Sequence, residues 1–279
     1  MRTWYKYLVI EEADPVRLEK DRAAQEHQKT MGGYSTDRGY ASKEEFFRTY
    51  VSGGDRRYRY YHEALKECLN KEEAGLSIGS GRCGNELFLM EEGYNIVCSD
   101  LENYCEERTS DIFEKMKFVK YDVMAGPFPG KFDYIFSLNV LYLFPREQLL
   151  KVFQHVAESL KDGGRFIVDP GGAEDNLYTA LIDNWGVRWD AQAQAFLKTM
   201  LKRSKKKVFK KHHGYRCNNK EFVAVAEEAG FKFEGLKTSD YVTELKDRML
   251  LFHGLPESAV RLLGWPIPYV RLFNFRKIQ

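Results

Sequence analysis

The sequence has no apolar run approaching the roughly 20 residues that a membrane-spanning helix needs. Its net charge is small: 43 Lys and Arg stand against 41 Asp and Glu, a balance of +2. That argues against a chain dedicated to nucleic acid or a membrane surface, while leaving room for a local patch facing an acidic partner. The five cysteines (Cys68, Cys83, Cys98, Cys105, Cys217) are odd in number and include no C-x-x-C spacing. They fit reduced thiols in a cytoplasm better than a disulfide framework or a zinc cage. No His, Asp and Glu grouping has the spacing of a metal site, and there is no internal repeat. Met1 to Ile10 is short, aromatic and followed at once by Glu11 and Glu12, so no signal peptide is expected there.

What is present is an ordinary globular composition, 43% apolar and 30% charged over 279 residues. This length accommodates one large α/β domain, or one domain with a helical appendage. The stretch from Met1 to Asn70 reads as a polar, helical leader. Asp14 to Lys29 carries charge on most turns, and Ser42 to Tyr50 opens with a capping box formed by Ser42 and Glu45. A further helix is predicted over about Arg57 to Asn70, where Tyr61, Ala64, Leu65 and Cys68 recur at helical spacing.

From Gly75 the pattern changes to short apolar runs alternating with helical segments. Strands are predicted near Leu76–Ile78, Asn95–Ser99, Phe118–Tyr121, Phe132–Ser137 and Arg165–Asp169. The clearest helix runs from Pro145 to Leu160, opening on proline and ending before Asp162-Gly163-Gly164. This alternation predicts a parallel sheet covered on both faces, with the loops after the strands gathered on one edge. Beyond Pro170 an insertion, helical in part, is expected over about 171–215. A helix over Lys220–Ala229, a strand from Gly230-Phe231 to about Leu236 and a last strand near Met249–His253 follow. Residues 255–279 form a tail rich in Leu, Pro and aromatics that the pattern does not place. The expected division is therefore 1–70, 71–254 and 255–279.

The chemistry starts at Leu76-Ser77-Ile78-Gly79-Ser80-Gly81-Arg82-Cys83-Gly84-Asn85-Glu86, between a strand and a helix. Glycines here let the backbone turn tightly and approach a ligand closer than any Cβ would allow. The spacing Gly79-x-Gly81-x-x-Gly84 also fits a dinucleotide site, and a tight turn with no ligand fits it too. Asp100 ends the second strand, one helix beyond Gly84, where a carboxylate can accept both hydroxyl protons of a ribose. Asp122 follows the third strand at the same edge, where an adenine amino group could meet it. The fourth strand runs straight into Asn139. Each acidic residue alone also reads as a helix cap or a solvated strand end; their order is what carries information.

The run from about Gly75 to Pro170 resembles the cofactor-binding half of the class I S-adenosylmethionine (SAM)-dependent methyltransferases, particularly the branch that modifies small molecules. The resemblance implies a Rossmann-like, seven-stranded, mostly parallel sheet with helices on both faces and an N-terminal helical lid. It also implies Gly79, Ser80, Gly81 and Gly84 under the methionine moiety of SAM, Asp100 with Leu101 at the ribose, Asp122 with Val123 at the adenine, and Asn139 near the sulfonium. The sequence departs from the family pattern at two positions. An acidic residue usually stands where Ser77 does, which removes a familiar anchor near the methionine ammonium, and a third glycine often stands where Cys83 does.

The substrate side is less specific. Tyr34, Tyr40, Trp185 and Trp189 are candidates for an aromatic pocket, although aromatics in helices are more often core. His212 and His213 are candidate proton acceptors, or a surface pair in a loop. Asp169, ending the fifth strand, is a candidate base or metal ligand, or a strand-end cap. Lys202–Lys211 carries seven basic residues in ten, able to grip phosphate or to form a solvated face. The expectation is methyl transfer to an oxygen, nitrogen or carbon of a small molecule. The rivals are an RNA or protein methyltransferase, an NAD-dependent oxidoreductase, and a SAM-fold partner protein without catalysis.

Overall fold

The computed structural model describes residues 1–10, 42–47, 56–103, 116–177, 179, 200–201, 207–239, 242, 246, 250–263 and 270–278. Tyr34, Tyr40, Cys105, Trp185, Trp189, Asp14–Lys29 and Lys202–Lys206 lie outside the described residues.

In chain order the elements are strand β1 (Arg2–Ile10), helices α1 (Lys43–Phe47) and α2 (Arg56–Cys68), strand β2 (Ala74–Ile78), helix α3 (Gly84–Glu91), and strands β3 (Asn95–Asp100), β4 (Phe118–Lys120) and β5 (Phe132–Leu138). A 3-10 turn over Leu141–Leu143 precedes α4 (Arg146–Ser159), β6 (Leu160–Asp169), β7 (Lys207–Arg216), α5 (Asn219–Glu228), β8 (Phe231–Thr238), α6 (Leu250–His253), α7 (Glu257–Leu263) and β9 (Arg271–Lys277). The predicted cap at Ser42 forms: its Oγ accepts the Glu45 N–H at 3.2 Å, satisfying a donor that the first helical turn leaves orphaned.

The chain divides into two compact units. The larger comprises Ser35–Gly171, Lys220–Ser239 and Val270–Gln279 and holds a seven-stranded sheet in the order β4-β3-β2-β5-β6-β9-β8. The five strands β4, β3, β2, β5 and β6 are mutually parallel, and β9 runs antiparallel to β6 and β8. The parallel strands are those expected from the strand–helix rhythm, and the whole sheet is the Rossmann-like architecture that the family resemblance implies. One sheet face is covered by α2 and α3, whose Ala64, Leu65, Leu87 and Met90 pack on Ile96, Cys98, Tyr134 and Phe136. The other face is aromatic. Phe153 of α4 lies with its ring centroid 5.3 Å from Phe166, 5.4 Å from Phe222 of α5 and 5.8 Å from Phe275 of β9. Edge-on ring pairs at these distances add to what their buried area contributes.

Two expectations are corrected. Leu250–His253, where the last strand was predicted, is helical, and the strand that completes the sheet is β9 in the tail. The physical reason is burial: Leu272, Phe273 and Phe275 of β9 are all nearly inaccessible, as a strand between two others requires, whereas Phe252 packs with Val242 and Val260 in a separate cluster. The smaller unit holds the second correction. Arg2–Ile10, within the stretch read as helical leader, is a strand, and it pairs antiparallel with β7 from the insertion read as helical in part.

Candidate functional site

Strand order reverses between β2 and β5: β2 is followed to one side by β3 and β4, and to the other by β5 and β6. Such a reversal opens a crevice outside the carboxyl ends of the strands. The glycine loop leaves β2 at that point. Gly79 has φ +70°, and a Cβ there would stand 2.5 Å from Val140 Cγ2, in the segment that follows β5. Only glycine satisfies both the left-handed backbone and this approach. The Gly79 and Ser80 N–H groups both donate to the Ser99 carbonyl, at 2.9 and 3.0 Å, tying the loop to the end of β3. Cys83, the N-cap of α3, is also left-handed at φ 57° and fully buried, which explains why glycine often stands at this position.

Asp100 sits beside this loop. Its Oδ2 accepts the Gly81 N–H at 2.9 Å and its Oδ1 accepts the Leu101 N–H at 2.7 Å. Burial pushes its carboxyl upward, while those two N–H donors pull it back. Each oxygen keeps a lone pair for a further donor. Leu101 itself is 51% exposed. The Asp100 carbonyl receives the Tyr121 N–H at 2.9 Å, so Asp122 follows directly at the same edge. Asp122 is exposed and its Oδ1 caps the Met124 N–H at 2.8 Å. Val123 is buried, with its carbonyl accepting His155 Nδ1–H at 2.6 Å.

Asn139 ends β5 in a left-handed conformation, φ 58°, and its N–H donates to the Asp169 carbonyl at 3.1 Å. The structure thus brings together the loop Gly79–Gly81, Asp100 and Leu101 on one side, and Asn139 with Asp169 on the other, with Val140 closing on Gly79. The Asp169 carboxylate is fully buried, accepting the Gly171 N–H at 2.6 Å and the Arg271 N–H at 2.9 Å. Desolvation raises its pKa, and the Arg271 guanidinium opposes that. His212 and His213 lie on β7, in the smaller unit. His212 is exposed and 5.1 Å from the Tyr215 ring; His213 stands edge-on to Trp4 at 4.3 Å.

Sequence reasoning missed Glu86. It is buried on the first turn of α3, and its Oε1 accepts the Ser77 hydroxyl at 2.6 Å. The signal was available: a lone carboxylate beside the apolar run Leu87-Phe88-Leu89-Met90 faces a core unless it faces a site. Desolvation pushes its pKa up to about 7, against the pull of the Ser77 hydroxyl and its own N–H, with Asp100 adding repulsion. Among the described residues no group of three or more metal-ligating side chains occurs, and no helix is long and apolar enough to cross a membrane.

A methyltransferase-domain family model matches residues 76–164, from β2 to the start of β6. Magnesium protoporphyrin IX methyltransferase from Synechocystis PCC 6803, solved with bound S-adenosylhomocysteine (SAH), superposes with a TM-score of 0.56 at 13% identity, covering 95% of this chain and 100% of that one. The N-methyltransferase NodS from Bradyrhizobium japonicum WM9, also with SAH, gives 0.51 at 15% identity over 90% of this chain and 100% of its own. An S-adenosylmethionine-dependent methyltransferase from Clostridium acetobutylicum ATCC 824 gives 0.52 at 13% identity over 84% and 96%. No curated protein matches. At such identities the superpositions establish the fold. The matched segment, residues 76–164, is similar to a methyltransferase domain, and two of the superposed structures hold SAH.

Proposed function

We propose that the chain transfers the methyl group of SAM to an oxygen, nitrogen or carbon nucleophile on a small molecule in a reducing cytoplasm. The residues at the sheet edge fit the cofactor on structural grounds. The Gly79 turn has no room for a side chain, and Asp100 offers two oriented carboxylate oxygens beside it. The Asp100 carboxylate, held by two backbone N–H groups at a strand end, carries the reading, because a ribose presents two hydroxyl donors to such a group. In this assignment Gly79, Ser80, Gly81 and Gly84 lie under the methionine part, Leu101 adjoins the ribose, Asp122 and Val123 adjoin the adenine, and Asn139 stands near the sulfonium.

When bound, SAM supplies a methyl group already activated on a sulfonium. The protein's work is then to align the nucleophile and exclude water. Asp169, with both oxygens accepting backbone N–H groups, is read as the anchor of the β6 end. His213, edge-on to Trp4, is read as a packing residue of the β1–β7 pair, and His212 is kept as a candidate proton acceptor. The small-molecule branch is favoured by two neighbours whose names state such acceptors or amine chemistry and by the balanced charge of +2.

The test is titration with SAM, SAH and NAD, followed by transfer of labelled methyl from SAM to metabolite extracts before and after RNase. Binding of SAM and SAH but not NAD, with labelling that survives RNase and stays in the small-molecule fraction, is expected. Labelled RNA or protein instead would overturn the acceptor class, and NAD binding would overturn the chemistry.

A further inference from the structure

Glu86 is a buried carboxylate without a counter-ion. It is 4% exposed, and among the described residues no basic side chain acts on it: the charged group whose field reaches it is Asp100, which repels. The buried Arg82 stands four residues back in the loop, but among the described residues no positive charge is directed at the Glu86 carboxylate. Ser77 on β2 is neutral and donates its hydroxyl. On α2, which packs along α3, His62 and Lys66 are engaged with Glu92 at 3.1 and 2.9 Å, beyond the other end of α3. A second acceptor sits on the same first turn: Asn85, also 4% exposed, has its Oδ1 buried with no donor among the described residues. Two adjacent buried acceptors, one ionisable and both short of donors, are costly unless a donor-bearing cation arrives. They follow immediately on the loop Gly79–Gly84. SAM carries one group of that description at its amino-acid end, an ammonium with three N–H donors.

Resting on the assignment of this edge to SAM, we propose that Glu86 holds the ammonium of the cofactor from α3, in place of a carboxylate on β2, and releases a proton on doing so. The balance is simple. In the empty site near neutral pH the carboxyl is partly protonated, held by the Ser77 hydroxyl and its own N–H. On binding, its proton leaves to solvent, and the carboxylate pairs with the ammonium, which keeps all its protons. Ser77 thus stands where it does because a serine hydroxyl, unlike a second carboxylate, can donate to Glu86 at 2.6 Å. A carboxylate at both positions would place two like charges in contact.

The experiment is calorimetric binding to the full-length protein of SAH, which carries the ammonium, and of 5′-methylthioadenosine, which lacks the whole amino-acid arm. Glu86→Gln is expected to weaken SAH at least about tenfold at pH 8, the scale of one charge-assisted contact, and to leave methylthioadenosine within about threefold. The double variant Ser77→Asp with Glu86→Gln, which returns a carboxylate to β2, is expected to recover most of the SAH affinity. In the wild type at pH 7 the SAH binding heat should vary with the ionisation enthalpy of the buffer, reporting release of on the order of half a proton. That measurement needs no variant to fold. The proposal is overturned if Glu86→Gln, folded by circular dichroism, binds SAH like the wild type or loses both ligands equally, or if wild-type binding moves no proton. Should the wild type bind neither ligand, the cofactor assignment of this edge falls first, and this proposal with it.

Discussion

Replacing Gly79 by alanine tests the geometry of the edge through a single atom. The added Cβ meets two obstacles. A left-handed backbone costs a non-glycine residue about 1–2 kcal/mol. The Cβ would also lie 2.5 Å from Val140 Cγ2 and 3.0 Å from Cγ1, and forcing an extra carbon into packed surroundings costs about 1–3 kcal/mol. The smaller entropy of the unfolded alanine chain returns about 0.4–1 kcal/mol. A net loss of about 2–4 kcal/mol is expected, or about 5–15 °C in Tm for a chain of this size. SAH affinity should drop as well, because the loop moves off the Ser99 carbonyl. Thermal unfolding with and without SAH measures both effects. A double-mutant cycle with Val140→Ala separates the causes. Trimming Val140 removes both close methyl contacts but leaves φ unchanged, so the two substitutions should couple by about 1–2 kcal/mol. If Gly79→Ala melts within about 1 °C of the wild type and binds SAH equally well, the close approach of β2 and β5 at this point is wrong.

Asp100→Ala should weaken SAM by about 2–4 kcal/mol while the protein stays folded; unchanged affinity by calorimetry would remove the ribose assignment. Glu86 also sets a pH dependence in the cofactor-free protein. Its folded pKa of about 7 exceeds the ordinary 4.5, so the native state binds the extra proton and stability falls as pH rises through this window. Between pH 4.5 and 8 the wild type should lose about 2–3 kcal/mol more than Glu86→Gln in denaturant unfolding; equal losses would mean that another group titrates. Replacing Lys205, Lys206 and Lys207 by serine should leave methyl transfer to the labelled small-molecule acceptor within about threefold, roughly 0.7 kcal/mol. A hundredfold loss restored at low salt would point to a polyanion instead.

The strands β2 to β6 were legible because each is a short apolar run set between turn residues or helices, such as β2 before Gly79 and β6 before Gly171-Gly172. The glycine loop and Asp100 were legible for the same reason: the constraint is local in sequence. The β1–β7 pair was not, since Arg2 at the start of the chain finds Arg216 in its last third, and no local periodicity records a partner that distant. β9 failed for a related reason. Its alternation Leu272-Phe273-Asn274-Phe275 is broken by burial on both faces, so it reads as an undirected aromatic tail. Glu86 was hidden by the opposite error, because attention to the family position at Ser77 registered a missing carboxylate and not its relocation onto the facing helix.

The place of β9 has a consequence for how the protein is made. β8 reaches the sheet only through β9, which lies between it and β6, yet β9 is synthesised only after α6 and α7 have followed β8 off the ribosome. During translation, at about 5–20 residues per second, β6 presents an open edge and Phe231 of β8 has no strand to lie beside. The aromatic face of Phe153, Phe166 and Phe222 stays uncapped until Phe273 and Phe275 arrive. For those seconds the nascent chain carries the kind of unpaired edge through which β proteins aggregate, and the arrival of β9, not the pairing of β2 to β6, closes that window.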